Sequence, residues 1–319
     1  MRARAAAGGA RRLPCGLALL LWALGAAAAV PPGGPLAAGD RAALESLISR
    51  SGADVGVAFR TLDGRSAWFY AADETFHAAS TMKVAVLIEL YRQARTGQVR
   101  LDEELTVSNE FHSLADGSTY HLNASDEDSE RGGLYQALGG ERTLAQLSEL
   151  MITVSSNLAT NLLMDKLGVE NIRATVHALG ADDLQVRRGL EDAKAFAQGL
   201  NNTTTARALL VLLQAIAEGR AVDPESSRAM VALLERGEFN DAIPAGLPPG
   251  TRVAHKIGDI SGILHDAAIV YAPRPYVLIV LTRSRLSKEA AATLVADVSR
   301  LLYRASQPAS AGRGGTGVP

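Results

Sequence analysis

Ser80 and Lys83 stand three residues apart in Ser80-Thr81-Met82-Lys83, at the mouth of the apolar run Val84-Ala85-Val86-Leu87-Ile88-Glu89-Leu90. On a helix, residues i and i+3 share one face, so the Lys83 ammonium would reach the Ser80 hydroxyl. A serine hydroxyl becomes a nucleophile when a base takes its proton, and lysine serves as that base once burial or a second cation lowers its pKa. At a helix start the Ser80 N–H would also be free to point at a developing oxyanion. Ser-x-x-Lys arises by chance roughly once in a chain of this size, and an ordinary helix start with a solvated Lys83 reads the same way. Acylating a serine also needs a second proton carrier, a polar anchor for a substrate amide and a cation opposite a substrate carboxylate. Further along the chain stand Ser155-x-Asn157 and Lys256-Ile257-Gly258.

The elements that must bring these residues together follow from patterning. Asp40 is expected to cap a helix with apolar residues at 44, 47 and 48. Val55, Val57 and Phe59, then Ala67, Phe69 and Ala71 beyond Asp63-Gly64, read as a β-hairpin that carries Trp68. The helix behind Ser80 ends near Gly97, and residues 109–142 read as an exposed excursion. Thr143 starts a helix that delivers Ser155, another helix ends at Gly180, and 185–202 is a polar loop. The first threonine of Thr203-Thr204-Thr205 is expected to cap the next helix. A shorter helix follows Asp223-Pro224, then strands at 252–257, 265–271 and 276–282 and a closing helix at 287–304. The order implies an α+β fold, an α/β sandwich. A five-stranded antiparallel sheet flanked by the N- and C-terminal helices (40–75 and 225–305) would carry an inserted all-α domain (76–224).

Composition sets the compartment. The chain has 319 residues, 47% hydrophobic and 21% charged, which is globular. Arg2, Arg4, Arg11 and Arg12, an apolar stretch at 17–24 and Ala27-Ala28-Ala29 read as an export signal over 1–29, so a periplasmic or secreted protein is expected. The apolar stretch is short and Ala-rich for a membrane span. Residues 30–39 read as a flexible leader and 306–319 as a disordered tail. Cys15, the only cysteine, leaves with the signal, and the six histidines form no zinc-binding pair, so no metal or cofactor is expected. Loss of four arginines takes the net charge from −2 to −6, which gives no means of binding nucleic acid. The expected partner is a small-molecule substrate, and the expected state a monomer.

Ser80-x-x-Lys83, Ser155-x-Asn157 and Lys256-Ile257-Gly258, in that order, resemble the motifs of the penicillin-recognising serine enzymes, most closely the class A β-lactamases. In register with that family, Ser155-x-Asn157 continues to Asn161-Leu162, and the polar loop, which corresponds to its Ω-loop, ends in Thr-Thr-Thr. The resemblance runs from about residue 40 to about 305, and the fold read above looks like theirs. It implies that Ser80 is acylated, that Lys83 is its base or the base's partner, and that Ser155 passes a proton to the β-lactam nitrogen. Asn157 would bind the substrate's amide side chain, Lys256 would supply positive potential, and Asn161 would pin the Ω-loop. Asp259, beside Gly258, would give a second oxyanion N–H.

Two positions depart from the family pattern. Ile257 stands where a threonine or serine hydroxyl helps hold the substrate carboxylate; Ser261 or His265 is a possible replacement. The glutamate that activates water for deacylation falls on Gly189 when counted back from Thr203, and beside Glu191 when counted forward from Leu179-Gly180. A loop two residues shorter makes Glu191 that base, although Ala195 replaces the usual asparagine; otherwise Glu191 and Asp192 are a solvated pair. Arg187 or Arg188 would brace the loop or be exposed, with Asn202 in place of the family's acidic partner. Tyr120 would wall the site or simply pack, and His77 and His255 read as structural. The alternatives to a β-lactamase are a D-alanyl-D-alanine peptidase or penicillin-binding protein, and a non-catalytic sensor domain.

Overall fold

Alternation in the hairpin residues gives way to continuous burial from Val55 to Phe59, because both faces of the sheet are covered. The computed structural model describes residues 34–124 and 133–307; the expected export signal, the first residues of the leader and the tail beyond 307 lie outside them. The main sheet has the order β1 (Gly34–Pro35), β3 (Ser66–Tyr70), β2 (Asp54–Thr61), β12 (Tyr276–Arg283), β11 (Ile263–Tyr271), β10 (Arg252–Ile260), and the short strands β4 (Phe76–His77), β5 (Glu104–Thr106), β6 (Phe111–His112), β7 (Thr119–Tyr120), β8 (Glu141–Thr143) and β9 (Thr203–Thr204) pair outside it. Five of the main-sheet strands are antiparallel neighbours, as expected. The sixth, β1, is a correction to the flexible leader: it pairs parallel with β3, Gly34 N–H donating to Arg65 O (2.9 Å). Pro35, which has no N–H, is tolerated at this sheet edge, and the buried Leu36 ties the segment down.

One sheet face is covered by α1 (Ala38–Ser51) and the C-terminal helix Lys288–Ser306, whose Val295, Val298 and Leu302 pack with Leu44, Ile48 and Phe59. Asp40 lies in the first turn of α1, where a carboxylate suits the helix dipole; the cap position is Ala37. The other face carries the helices that bear the motifs: α2 (Lys83–Arg95), α3 (Leu144–Thr153), α4 (Asn157–Leu167), α5 (Val169–Ala178), α6 (Ala193–Ala197), α7 (Ala206–Ala217) and α8 (Pro224–Leu234). Ile279 and Leu281 of β12 join Leu87, Leu158 and Leu212 in that core. Met230 and Leu234 of α8 join it too, beside Ala254 of β10.

Caps explain where several helices begin. Thr143 forms a capping box with Gln146, Asp223 caps α8, and Ser287 caps the last helix, each worth about 1 kcal/mol. The cap of α7 is Thr205 rather than Thr203, its hydroxyl accepting from Ala208 N–H (3.1 Å); Thr203–Thr204 instead pairs as a short strand with Phe76–His77. Residues 125–132 of the expected 109–142 excursion lie outside the described residues; its described parts are more anchored than their composition suggests. Phe111, Leu122 and Leu134 are buried, and the Asn109 amide bridges both backbone groups of Leu122 (2.9 Å each).

Candidate active site

Ser80 sits in a tight 3₁₀ turn, Ala79–Met82, that runs straight into α2 at Lys83. Edge strand β10 lies directly against this turn. A Cβ added to Gly258 would stand 3.1 Å from Ala79 Cβ and 3.2 Å from Ser80 N, so any side chain there would press the strand off the turn. Ser80, Ser155, Asn157, Glu191, Ile257 and Asp259 line one cleft of about 540 Å³. Lys83, on α2, and Lys256, on β10, are fully or nearly buried, at 0% and 2% exposure.

Lys83 Nζ donates to Ser155 Oγ (3.1 Å), Ser155 O (2.7 Å) and Asn157 Oδ1 (2.9 Å). Lys256 Nζ donates to the same Ser155 Oγ (3.0 Å) and to Ile257 O (3.0 Å). Two lysine side chains therefore converge on one hydroxyl, and a positive charge on either favours release of a proton from the oxygen between them. A solvated Lys83 is thereby ruled out.

Glu191 also faces the cleft. Its Oε1 accepts from Asn157 Nδ2 (3.0 Å) and its Oε2 from Asn123 N–H (2.9 Å). The loop beneath it is held at Leu190, whose N–H donates to Asn161 Oδ1 (2.7 Å) and whose carbonyl accepts from Asn161 Nδ2 (3.0 Å). Asp192 does not form a solvated pair with Glu191. It is buried, caps α6 through Ala195 N–H (3.0 Å), and accepts from Ser113 Oγ (2.7 Å) and Leu114 N–H (2.9 Å). Asp192 is a residue that sequence reasoning missed, and its signal was an acid placed just before Ala193-Lys194-Ala195.

Arg188, of the two loop arginines, is buried; it donates to Gly189 O (3.0 Å) and lies over the Phe196 ring. Burial lowers its pKa. Asn202 takes no ionic role. Its Oδ1 accepts from the N–H groups of Arg187 (2.8 Å) and Arg188 (3.0 Å), and its Nδ2 donates to Arg188 O (2.9 Å). Tyr120 packs behind the loop, where its hydroxyl accepts from Asn161 Nδ2 (3.3 Å) and fills the space in front of Gly189; it is no wall of the cleft.

The histidines tie the nucleophile turn to the sheet. Thr282 N–H donates to His265 Nδ1 (3.0 Å), so the ring proton is on Nε2, which donates to His77 O (2.9 Å). His77 Nδ1 in turn accepts from Ala79 N–H (3.1 Å). Burial drives the His265 pKa down to about 4, and burial with the Arg188 charge lowers that of His77. His265 thus has both nitrogens engaged away from the cleft, and Ser261 lies in the β10–β11 turn, so neither replaces the hydroxyl missing at Ile257. His255, on the opposite face of β10 from Lys256, pairs with Asp266 (3.0 Å), whose other oxygen accepts from Ile243 N–H (2.9 Å).

Backbone strain concentrates here. Among the described residues, Ala79 (φ +46°), Ser155 (+61°) and Glu191 (+62°) are three of the four non-glycine residues with positive φ, and all three line the cleft. Asp259 forms an ion pair with Lys288 at the cleft's outer end. Among the described residues no cluster of three or more histidines, cysteines or acids could hold a metal, and no helix is long and apolar enough to cross a membrane.

Known proteins resemble this chain at low identity. A β-lactamase of Streptomyces albus G is 29% identical over 268 residues, covering 81% of this chain and 82% of that protein. A β-lactamase of Bacillus licheniformis is 28% identical over 244 residues, 74% of each. Among solved structures, that of PBP-A superposes with a TM-score of 0.72 at 28% identity, covering 86% of this chain and 98% of the other. The β-lactamase of Sphaerobacter thermophilus superposes with a TM-score of 0.71 at 27% identity, covering 84% and 96%. The profile of the beta-lactamase enzyme family matches residues 41–306, and the chain belongs to that family.

Proposed function

We propose that the chain is a β-lactamase-type serine hydrolase, opening the β-lactam amide through an acyl-Ser80 intermediate. The observation that carries this reading is the convergence of Lys83 and Lys256 on Ser155 Oγ, in the cleft that Ser80 lines. In the reacting form Lys83 is the neutral amine: Ser80 Oγ attacks the lactam carbonyl carbon as its proton passes to the Lys83 lone pair, and the N–H groups of Ser80 and Asp259 stabilise the oxyanion. As the C–N bond breaks, Ser155 gives its proton to the nitrogen and takes one back from Lys83. Asn157 orients the substrate's amide. Glu191 takes a proton from the water that attacks the ester carbonyl, releasing the opened product and restoring the Ser80 hydroxyl. Asn161 holds the loop that presents Glu191. An exported protein, freed of its first 29 residues, is part of the same reading.

One observation favours a second reading, a penicillin-binding protein that deacylates slowly. Both Glu191 oxygens already accept hydrogen bonds, from Asn157 Nδ2 and Asn123 N–H, which a deacylating water must share. Intact-mass spectrometry with a chromogenic cephalosporin separates the two. Turnover by the wild type, no adduct on Ser80→Ala, and an acyl adduct that persists at least 100-fold longer on Glu191→Gln support the β-lactamase. A long-lived adduct on both wild type and Glu191→Gln supports the penicillin-binding protein. No adduct on any of them refutes acylation and leaves a sensor.

A further inference from the structure

The cleft does not stop at the four converging side chains. Beyond Ile257 it continues between the β10–β11 turn and the start of the C-terminal helix, lined by Ile260, Leu264, Phe239 and Ala292. Ile257 and Leu264 belong to the core on that side of the sheet, so this wall is apolar from its foundation outward. Two of the side chains that line the cleft are large, apolar and exposed, Ile260 at 42% and Phe196, in α6, at 55%. Exposed apolar groups lining a cavity mark a binding surface for an apolar ligand group.

The charges at this end point the same way. The two Lys256 donors directed at Ser155 Oγ and Ile257 O are turned inward. Among the described residues lining the cleft the cations are Lys288, paired with Asp259, and the buried Arg188, which donates to Gly189 O. Glu191, Asp241, Asp259 and Glu289 line it too, so four carboxylates stand against two cations. A substrate carboxylate would meet no hydroxyl at Ile257, an apolar wall, and net negative potential. An uncharged apolar group meets none of these penalties.

We propose that this end of the cleft accepts an uncharged, apolar portion of the substrate, with Ile257 the residue that sets the preference, and that the enzyme therefore also hydrolyses neutral carboxylic esters. The inference rests on the acyl-Ser80 reading and names the substrate class of that same site. With a phenyl ester, Ser80 Oγ attacks the acyl carbon and its proton passes to Lys83. The C–O bond to the phenol breaks, and the phenolate takes a proton through Ser155. Water then adds to the acyl carbon, the carboxylic acid leaves, and Ser80 regains its hydrogen.

The test compares phenyl phenylacetate with 3-carboxyphenyl phenylacetate, each kcat/KM normalised to the ester's spontaneous hydrolysis rate. It uses wild type, Ile257→Thr, and Ile257→Val as a packing control, with a thermal melt of each and the chromogenic cephalosporin run alongside. Wild type is expected to hydrolyse the neutral ester at least as well as the carboxylated one. Ile257→Thr is expected to shift the ratio at least tenfold toward the carboxylated ester, through its KM, while Ile257→Val leaves the ratio unchanged. A wild type that prefers the carboxylated ester overturns the proposal, as does a ratio that Ile257→Thr does not move. Cephalosporin turnover without hydrolysis of either ester overturns it too and leaves the acyl-Ser80 reading standing; failure of all three substrates to acylate Ser80 refutes that reading itself.

Discussion

Replacing Gly258 by alanine tests whether the close contact between β10 and the Ser80 turn sets the geometry of the site. The added Cβ would stand 3.1 Å from Ala79 Cβ, 3.2 Å from Ser80 N and 3.2 Å from Thr81 Cγ2. Carbon atoms settle at about 3.5–4.0 Å, so turn and strand must part by about half an ångström. The turn has little room to yield, because Ala79 is already at φ +46° and its N–H is held by His77. The strand moves instead, and it carries Lys256 and Asp259 away from Ser155 and Ser80. Overpacking of this kind costs about 1–3 kcal/mol, which lowers Tm by roughly 2–10 °C in a chain of this size. A displacement of ~1 Å from productive geometry costs about 100-fold in rate, so half of that predicts a loss of about tenfold in kcat/KM. Stopped-flow acylation with a chromogenic cephalosporin and a thermal melt read both effects. Ala79→Gly, which removes the nearest contact atom, is expected to restore part of each in the double variant. Wild-type acylation by Gly258→Ala, at whatever Tm, would refute the claim that this contact positions the catalytic groups.

Two further outcomes follow from the supports around the site. Asn161→Leu leaves the N–H and C=O of Leu190 without their partners, at about 1–3 kcal/mol for each buried group. Hydrogen exchange at 187–192 is expected to speed up by at least tenfold while α2 stays protected, and unchanged exchange would show that Asp192 and Asn202 hold the loop alone. His265, whose pKa is pushed down to about 4 from an ordinary 6.5, is neutral in the fold, and the unfolded chain binds the proton first as pH falls. Its contribution is therefore complete above pH 6.5 and is lost as pH falls toward 4, about 3 kcal/mol in all. Melts between pH 7.5 and 4.5 should show this loss in the wild type and a shallower one in His265→Gln, and parallel curves would count against it.

The sequence displays chemistry better than it displays support. Ser80, Lys83, Ser155, Asn157 and Lys256 were legible because three short motifs that chance would supply singly stand in the order of a known family, and the helices and strands that bring them together show in apolar periodicity. The hairpin at Asp63-Gly64 was legible too, since Gly64 takes the positive φ its turn requires. The supports are generic groups whose role depends on what lies opposite. Asn202 reads as a substituted acid until its amide is seen bridging Arg187 and Arg188. Adjacent acids such as Glu191 and Asp192 have identical chemistry, and only the fold turns one into the cleft and the other into a buried cap. The pairing of β1 rests on backbone groups alone, about which Gly34-Pro35 says little.

Strain was the least legible feature, because alanine, serine and glutamate carry no sign of a left-handed backbone. Each strained residue has a clamp beside it. Ala79 N–H is held by His77, Ser155 O accepts from Lys83 Nζ, and Glu191 lies between Leu190, fixed by Asn161, and the cap Asp192. Such conformations cost about 1–3 kcal/mol each and persist only where surrounding contacts over-determine them. The three residues at fault are the ones that aim the Ser80 turn, the Ser155 hydroxyl and the Glu191 carboxylate into a common space. A clamp removed without disturbing the strained residue itself should let that residue relax, so part of the lost stability returns while the aim does not. Loss of rate out of proportion to loss of stability is therefore the signature that distinguishes a clamp of this cleft from an ordinary buried hydrogen bond.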